Sequence, residues 1–167
     1  MKKIICVILM LAAGFVSYGK QRKQKNKPVS GNGIISVAIH HGACFGRCPQ
    51  YNLEVNRNGI TTFTGLRFTH DSGVFTKKIG VAKAKELIDQ FDVYKTDTCK
   101  DFYETRMQDV PGFTFTIKYD TKTKTIRNAN FGPPILAKLR NKIDSVVEQN
   151  QELGPLLPGR WYKTKGH

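Results

Sequence analysis

Two cysteines in a Cys-x-x-x-Cys spacing are the residues of this sequence best placed to do chemistry. Cys44 and Cys48 lie in the stretch Cys-Phe-Gly-Arg-Cys-Pro-Gln-Tyr, which interrupts an otherwise strand-like segment. If the chain turns there, their Cα atoms can reach the roughly 5.5 Å that a disulfide prefers. Gly46 permits the turn because it has no Cβ, and Pro49 directs the chain into an extended segment. We therefore predict a disulfide between Cys44 and Cys48 that fixes the shape of the turn.

A reactive thiol is the alternative to a structural disulfide. A redox role requires a thiol of low pKa, typically at a helix N-terminus, whereas this pair lies between predicted strands. A hydrolytic role would use Cys44 or Cys99 as the nucleophile and His41 or His70 as the base, but no nucleophile elbow accompanies them. Cys99 is predicted to be a free thiol. A bond from Cys99 to either member of the pair stays open as a competing arrangement.

Histidines close to the cysteine pair raise the question of a zinc site. His40, His41, Cys44 and Cys48 would supply four nitrogen and sulfur ligands. Consecutive residues of a strand point to opposite faces, so the two histidines are not expected to reach one ion. Acidic residues of a later loop lack the spacing of a calcium loop; they are Asp97, Asp101, Glu104 and Asp109. We predict neither a metal nor a cofactor.

The N-terminus has the order of a secretory signal peptide, residues 1–19. Two lysines precede an apolar run at residues 4–16, and small residues follow it, as a signal peptidase requires. The run is shorter than the about 20 residues that span a bilayer as a helix. We predict cleavage near Gly19, no membrane span after cleavage, and a periplasmic or extracellular location, where disulfides persist.

The length of 167 residues suits one domain with appendages. Residues 20–33 are predicted to be a basic disordered linker, residues 34–150 a single domain, and residues 151–167 a C-terminal extension. Hydrophobic residues make up 40% of the sequence, which is enough to bury a core.

The formal net charge of +14 is unevenly distributed. The two N-terminal lysines and five basic residues between positions 20 and 27 supply half of it, so the domain has an ordinary basic surface. Export and the lack of a recognisable nucleic-acid-binding motif argue against a nucleic-acid partner. An anion-binding patch is predicted on the last hairpin, from Lys118, Lys122, Lys124 and Arg127.

Alternation of apolar and polar residues predicts six strands. In the first, Ile35, Val37 and Ile39 are expected to share the buried face. Asn58-Gly59 predicts a tight hairpin between the second and third strands, because both residues tolerate positive φ. Phe63 is then expected to pair with the second strand. The predicted strands cover residues 34–40, 51–56, 60–65, 74–79, 113–119 and 124–129.

Two amphipathic helices complete the pattern. Apolar residues recur at helical spacing over residues 81–91 and again after Pro133, from Leu136 to Val147. The element order is therefore β-β-β-β-α-β-β-α. Short hairpin connections favour an α+β fold, a two-layer sandwich with a mostly antiparallel sheet and both helices on one face.

The motif Cys-Phe-Gly-x-Cys-Pro-x-Tyr, followed by an Asn-Gly hairpin that ends in Phe-Thr-Gly, resembles the bacterial family catalogued as domain of unknown function 6438. Asp109-x-Pro111, Ile143-Asp144 and Trp161 also resemble that family. The resemblance covers residues 34–161. It implies an exported protein of Bacteroidetes-like bacteria and no particular chemistry, and Cys99 is not part of the pattern.

These observations predict a non-catalytic binding module of the cell envelope, monomeric, whose partner is an envelope protein or an acidic polymer. A thiol-based redox or hydrolytic enzyme that uses Cys44, Cys48 or Cys99 is the alternative, and an inhibitor or immunity-type protein is a third. Because long irregular loops are often functional, residues 92–112 are predicted to form the acting surface.

Overall fold

The computed structural model describes residues 33–103, 110–150, 154–157 and 159–164. Within them, two helices pack on one face of an eight-stranded sheet, and a separate two-stranded hairpin follows the second helix. In chain order the elements are β1 (Ile34–His41), β2 (Gln50–Asn56), β3 (Ile60–Arg67), β4 (Gly73–Lys78), α1 (Val81–Val93), β5 (Phe102–Tyr103), β6 (Phe113–Tyr119), β7 (Thr123–Asn128), α2 (Pro134–Asp144), β8 (Glu148–Asn150), β9 (Gly154–Leu156) and β10 (Tyr162–Lys163).

The sheet has the order β10-β4-β3-β2-β1-β6-β7-β5. Every pair in it is antiparallel except β5 and β7, which are parallel. The α+β two-layer architecture is confirmed and each of the six predicted strands is present, but the predicted element order is incomplete, because β5 lies between α1 and β6 and three short strands follow α2. The sheet is larger than predicted because the two-residue strands β5 and β10 extend its edges, and neither is long enough to show an alternating pattern.

The core lies between the sheet and the two helices. Val37 and Ile39 of β1 are fully buried against Leu87 and Phe91 of α1 and their neighbours in one hydrophobic cluster. Leu53 of β2 pairs with Phe63 of β3, as the Asn-Gly hairpin predicted. Removing these large apolar side chains from water is the main favourable contribution to folding.

One prediction about the first strand is wrong. Ile35 is 42% exposed, whereas Ile34 is fully buried. The register of β1 against β6 shifts between Ile34 and Ser36. This irregularity inserts an extra residue, so the alternation slips by one position and moves Ile35 to the solvent.

The face of the sheet opposite the helices is polar. Thr62, Thr64 and Thr116 lie there with Ala38 and Glu54. Among the described residues, no helix packs on this face.

The long connection after α1 contains more structure than predicted. A 3-10 helix, Thr96–Thr98, and strand β5 interrupt residues 92–112. Residues 104–109 of the predicted loop lie outside the described residues. So do the predicted signal peptide, residues 20–32 of the linker, and part of the C-terminal extension.

The second helix ends earlier than its apolar stripe. It stops at Asp144, yet Val147 beyond it is still buried and Val146 packs against the core. Further along the chain, Leu157 and Trp161 also pack against the core. No helix in the described part of the chain is both long and apolar enough to cross a bilayer.

Candidate functional site

Three polar side chains meet at the end of the sheet where the cysteine turn lies. His41 Nε2 donates to the Asp144 carboxylate at 3.1 Å. The Tyr51 hydroxyl donates to Asp144 Oδ1 at 3.0 Å. The imidazole of His41 and the ring of Tyr51 are stacked, with centroids 4.3 Å apart. We call these three residues the carboxylate cluster.

Sheet register positions two members of this cluster. His41, the last residue of β1, is directly opposite Tyr51 of β2. Residues opposite each other in an antiparallel pair project to the same face, so both rings stand on the helix side. The end of α2 then brings Asp144 over them.

Burial explains why Asp144 needs both donors. Its side chain is only 10% exposed. A buried carboxylate is costly unless hydrogen bonds compensate for the lost water. The donors from His41 and Tyr51 supply that compensation and join the end of α2 to the centre of the sheet.

A cleft of about 400 Å³ opens beside the carboxylate cluster. It is lined by the cluster together with Pro49, Arg140, Asn141, Ser145 and Val147. The Arg140 guanidinium lies over the ring of Phe113, 5.4 Å from its centroid. Its Nε and Nη2 both donate to Asn141 Oδ1 at 3.2 Å. Among the described residues, Arg140 forms no ion pair with a carboxylate.

The cysteine turn forms the rim of this cleft, because Pro49 directly follows Cys48. Cys44 and Cys48 have Cα atoms 5.8 Å apart, which is a disulfide distance. Gly46 has a φ of 112°, a conformation that a residue with a Cβ rarely adopts. The position of the pair fits the predicted disulfide, while the covalent bond itself stays a prediction.

A close backbone approach occurs on the strand next to Tyr51. Gly65 of β3 is directly opposite Tyr51. A Cβ at Gly65 would lie 2.0 Å from the carbonyl oxygen of Asp71. Only glycine therefore lets the loop between β3 and β4 pass so close to the strand.

The third cysteine is remote from the pair in the sheet. Cys99 is partly buried and packs against the core. Its carbonyl oxygen accepts a hydrogen bond from Lys124 Nζ at 2.6 Å, and Lys124 also bonds Asp101. Lys124, which contacts Cys99, is opposite Ile117, four residues along β6 from Phe113. The cysteine turn is at the Phe113 end of β6, because the last residue of β1 is opposite Phe113.

The basic residues of the last hairpin are dispersed rather than gathered. Lys118 donates to Glu54 at 3.2 Å, and Lys124 pairs with Asp101. Lys122 lies over the ring of Tyr119, and Arg127 is exposed on strand β7. Because the ammonium groups of Lys118 and Lys124 are paired to carboxylates, anion binding by this patch stays a prediction.

The two adjacent histidines point in opposite directions. His40 Nδ1 is 2.7 Å from Asn52 Oδ1 on the polar face, whereas His41 contacts Asp144 on the helix side. Within the described residues, no group of three or more His, Cys, Asp or Glu side chains is placed to hold a metal ion.

The carboxylate cluster was not predicted from the sequence. Asp144 follows Ile143 directly in the apolar stripe of α2, and a charged residue beside that stripe could have signalled a buried partner. Tyr51 was predicted as the end of the cysteine motif and the start of the second strand, without a polar partner. Nothing local to either residue indicates that the two meet.

Comparison with known families gives one match. The family model described as "Domain of unknown function (DUF6438)" matches residues 35–147, which include the cysteine turn and every member of the carboxylate cluster. Comparisons with curated proteins and with solved structures found no match.

Proposed function

Because the chain belongs to the DUF6438 family of domains of unknown function, we propose its function from the site itself: the protein is a non-catalytic binding module of the cell envelope that holds an acidic group of its partner in the cleft. The partner is an envelope protein or an acidic polymer.

The observation that supports this proposal is the placement of Arg140. Its guanidinium faces the cleft and lies over the ring of Phe113, and among the described residues it donates to the neutral amide of Asn141 rather than to a carboxylate. A guanidinium offers five donors in a planar fork that matches a carboxylate. Two donors reach Asn141, so others remain for a ligand. The aromatic ring holds the guanidinium in place before the ligand arrives, which lowers the entropic cost of binding.

The carboxylate cluster serves as the fixed wall of this site. Asp144 already accepts hydrogen bonds from both His41 and Tyr51, so its charge is compensated inside the protein. Arg140 precedes Asp144 by one helical turn, yet the two form no ion pair in the described structure. The cluster therefore leaves Arg140 available for an external anion.

The envelope location is proposed from two independent features. The order of charged, apolar and small residues in positions 1–19 is that of a signal peptide. Cys44 and Cys48 are at a distance that favours a disulfide, and such bonds persist in oxidising compartments.

An NMR titration of the full chain with N-acetylglutamate tests the site. We expect shifts at the Arg140 side chain and at the amides of Asn141 and Ser145. The variant Arg140→Gln should weaken binding by roughly tenfold or more, because it removes a charge-assisted hydrogen bond. Lys138→Gln is the matched control, since Lys138 is an exposed cation on the same helix.

Two results would contradict the proposal. One is an equal response of wild type and Arg140→Gln to N-acetylglutamate. The other is a response confined to the basic residues 20–27. If the cleft does bind, a pull-down from envelope extract with wild type and Arg140→Gln will identify the partner.

An enzyme that uses a thiol is the second candidate, and the His41–Asp144 pair favours it. A histidine oriented by a carboxylate is the usual base that activates a nucleophile. Counting free thiols in the folded protein separates the two candidates. A single unreactive thiol, Cys99, supports the binding module, whereas two or three reactive thiols support the enzyme.

A further inference from the structure

A phenylalanine at the tip of the cysteine turn projects into solvent. Phe45 is 86% exposed, the highest value of any large hydrophobic residue in the described part of the chain. The adjacent Gly46 has open space around it, with no atom within 4 Å of the place where a Cβ would stand. The turn is therefore a convex protrusion with an apolar end.

Beside this protrusion, two arginines pack on the ring of a second phenylalanine. The Arg47 guanidinium lies 5.6 Å from the centroid of the Phe68 ring, and that of Arg67 lies 5.1 Å from it. Neither arginine is in an ion pair with another described residue. Phe68 has a φ of 54°, an unfavourable conformation for a bulky residue, and its side chain is 37% exposed.

We propose that these residues bind the surface of an anionic lipid bilayer. We call Phe45, Arg47, Arg67 and Phe68 the membrane tip. In this arrangement Phe45 enters the boundary between headgroups and acyl chains, and the two guanidinium groups bind lipid phosphates. Aromatic rings favour that boundary, and arginine places its charge among headgroups while its stem contacts apolar groups.

The shape of the tip favours a bilayer over a folded protein as the partner. A convex apolar residue binds a protein only if the partner offers a matching pocket, whereas a bilayer deforms around it. The two unpaired cations complement a surface that has many phosphates, and the attraction should fall as salt is added. The proposal does not depend on the cleft, because Arg140 is not part of the tip.

Tryptophan fluorescence on the full chain tests insertion. The wild type has one tryptophan, Trp161, which packs against the core and provides the background signal. The variant Phe45→Trp places an indole at the tip. Phe102→Trp is the matched control, since Phe102 is 62% exposed on the edge strand β5. Vesicles contain phosphatidylcholine alone or mixed with phosphatidylglycerol, with or without brominated acyl chains.

We expect the indole introduced by Phe45→Trp to shift to the blue and to be quenched by brominated chains only when phosphatidylglycerol is present. The indole introduced by Phe102→Trp should respond much less. The double variant Arg47→Glu with Arg67→Glu should reduce partitioning to anionic vesicles by roughly tenfold or more, because each cation contributes about a fivefold factor. Lys78→Glu, at the opposite end of the sheet, should reduce it less.

Equal quenching of the two introduced indoles would overturn the proposal, because it would show that position 45 comes no closer to the acyl chains than position 102. Absence of quenching on both kinds of vesicle would also overturn it, as would binding of the tip to an acidic protein without any response to lipid. Residues 1–32 are identical in every variant, so the differences between variants do not come from them.

Discussion

The Tyr51 hydroxyl donates a 3.0 Å hydrogen bond to Asp144, a residue 93 positions away in the sequence. Tyr51 is the last residue of the cysteine motif, and Asp144 is the last residue of α2. The bond therefore connects the turn that the cysteines shape to the helix that supplies Arg140 to the cleft. Stability and binding should both respond when it is removed.

The variant Tyr51→Phe tests this connection. It keeps the ring that stacks on His41 but leaves Asp144 with one donor fewer, so we expect a loss of about 1–2 kcal/mol in the free energy of unfolding. Urea denaturation measures it. Tyr162→Phe is the control, because Tyr162 is 58% exposed and should change stability little.

A double-mutant cycle shows whether the loss comes from this contact. If Tyr51 and Asp144 interact directly, adding Tyr51→Phe to Asp144→Ala, which removes the acceptor, should cost less than Tyr51→Phe alone. Strict additivity of the two losses would contradict a direct interaction.

A buried hydroxyl on β3 gives the second prediction. Thr61 is fully buried, and its Oγ1 has no hydrogen-bond partner among the described residues. Thr61→Val removes this unsatisfied group with little change in shape. We expect the free energy of unfolding to rise by about 1 kcal/mol, as measured by urea denaturation.

Thr96 is the matched control for that substitution. It is equally buried, but its Oγ1 donates to the carbonyl oxygen of Phe91 at 3.0 Å. Thr96→Val should therefore lower stability by about 1 kcal/mol. A loss of stability in both variants would show that the Thr61 hydroxyl is hydrogen-bonded in the fold.

Sequence patterns predicted the parts of this fold that depend on local periodicity. The alternation in β2 and β6 and the helical spacing in α1 each report a single buried face, and that information is present in a few consecutive residues. The same patterns do not specify which distant elements meet. The Tyr51–Asp144 bond, the two-residue strand β10 and the slip at Ile35 all depend on contacts between separate elements, so the sequence alone did not indicate them.

The features of the candidate site also divide into those that local spacing predicts and those that depend on distant contacts. The closeness of Cys44 and Cys48 follows from their short spacing, and the opposed directions of His40 and His41 follow from strand geometry. Arg140 is one of many basic residues in the sequence. Only the position of its guanidinium on Phe113, facing the cleft, distinguishes it from the others.

Two aspartates of α1 give a prediction about pH. Burial opposes ionisation of Asp89, but the hydrogen bond from Lys85 and the charge of Arg57 together hold its pKa below the ordinary 3.8. Partial loss of solvent raises the pKa of Asp92, although the residue is largely exposed, and the charges of Asp89 and Asp97 act in the same direction. The two carboxylates should therefore affect stability with opposite signs.

The signs follow from proton binding in the folded and unfolded states. Asp89 stabilises the fold above pH 3.8, and this contribution is lost as the pH falls through its lower folded pKa. Asp92 ionises less readily in the fold, so its contribution becomes unfavourable as the pH rises through 3.8. At pH 7, Asp89→Asn should lower the melting temperature and Asp92→Asn should raise it. Both differences from wild type should shrink as the pH falls below the ordinary 3.8, that of Asp89 last because its folded pKa is the lower one. Shifts of the same sign at pH 7 would refute the assignment.

The predicted bond between Cys44 and Cys48 can be tested by reduction. Cross-linking a short loop removes freedom from the unfolded chain, so we expect reductant to lower the free energy of unfolding by about 2 kcal/mol. A chelator should have no effect, since no zinc is predicted.

The double variant Cys44→Ser with Cys48→Ser should match the reduced protein and be insensitive to reductant, whereas Cys99→Ser should keep the full response. If Cys99→Ser abolished the response instead, the bond would join Cys99 to one member of the pair. Retained binding of N-acetylglutamate by the double serine variant would show further that the disulfide shapes the turn, while Arg140 recognises the ligand.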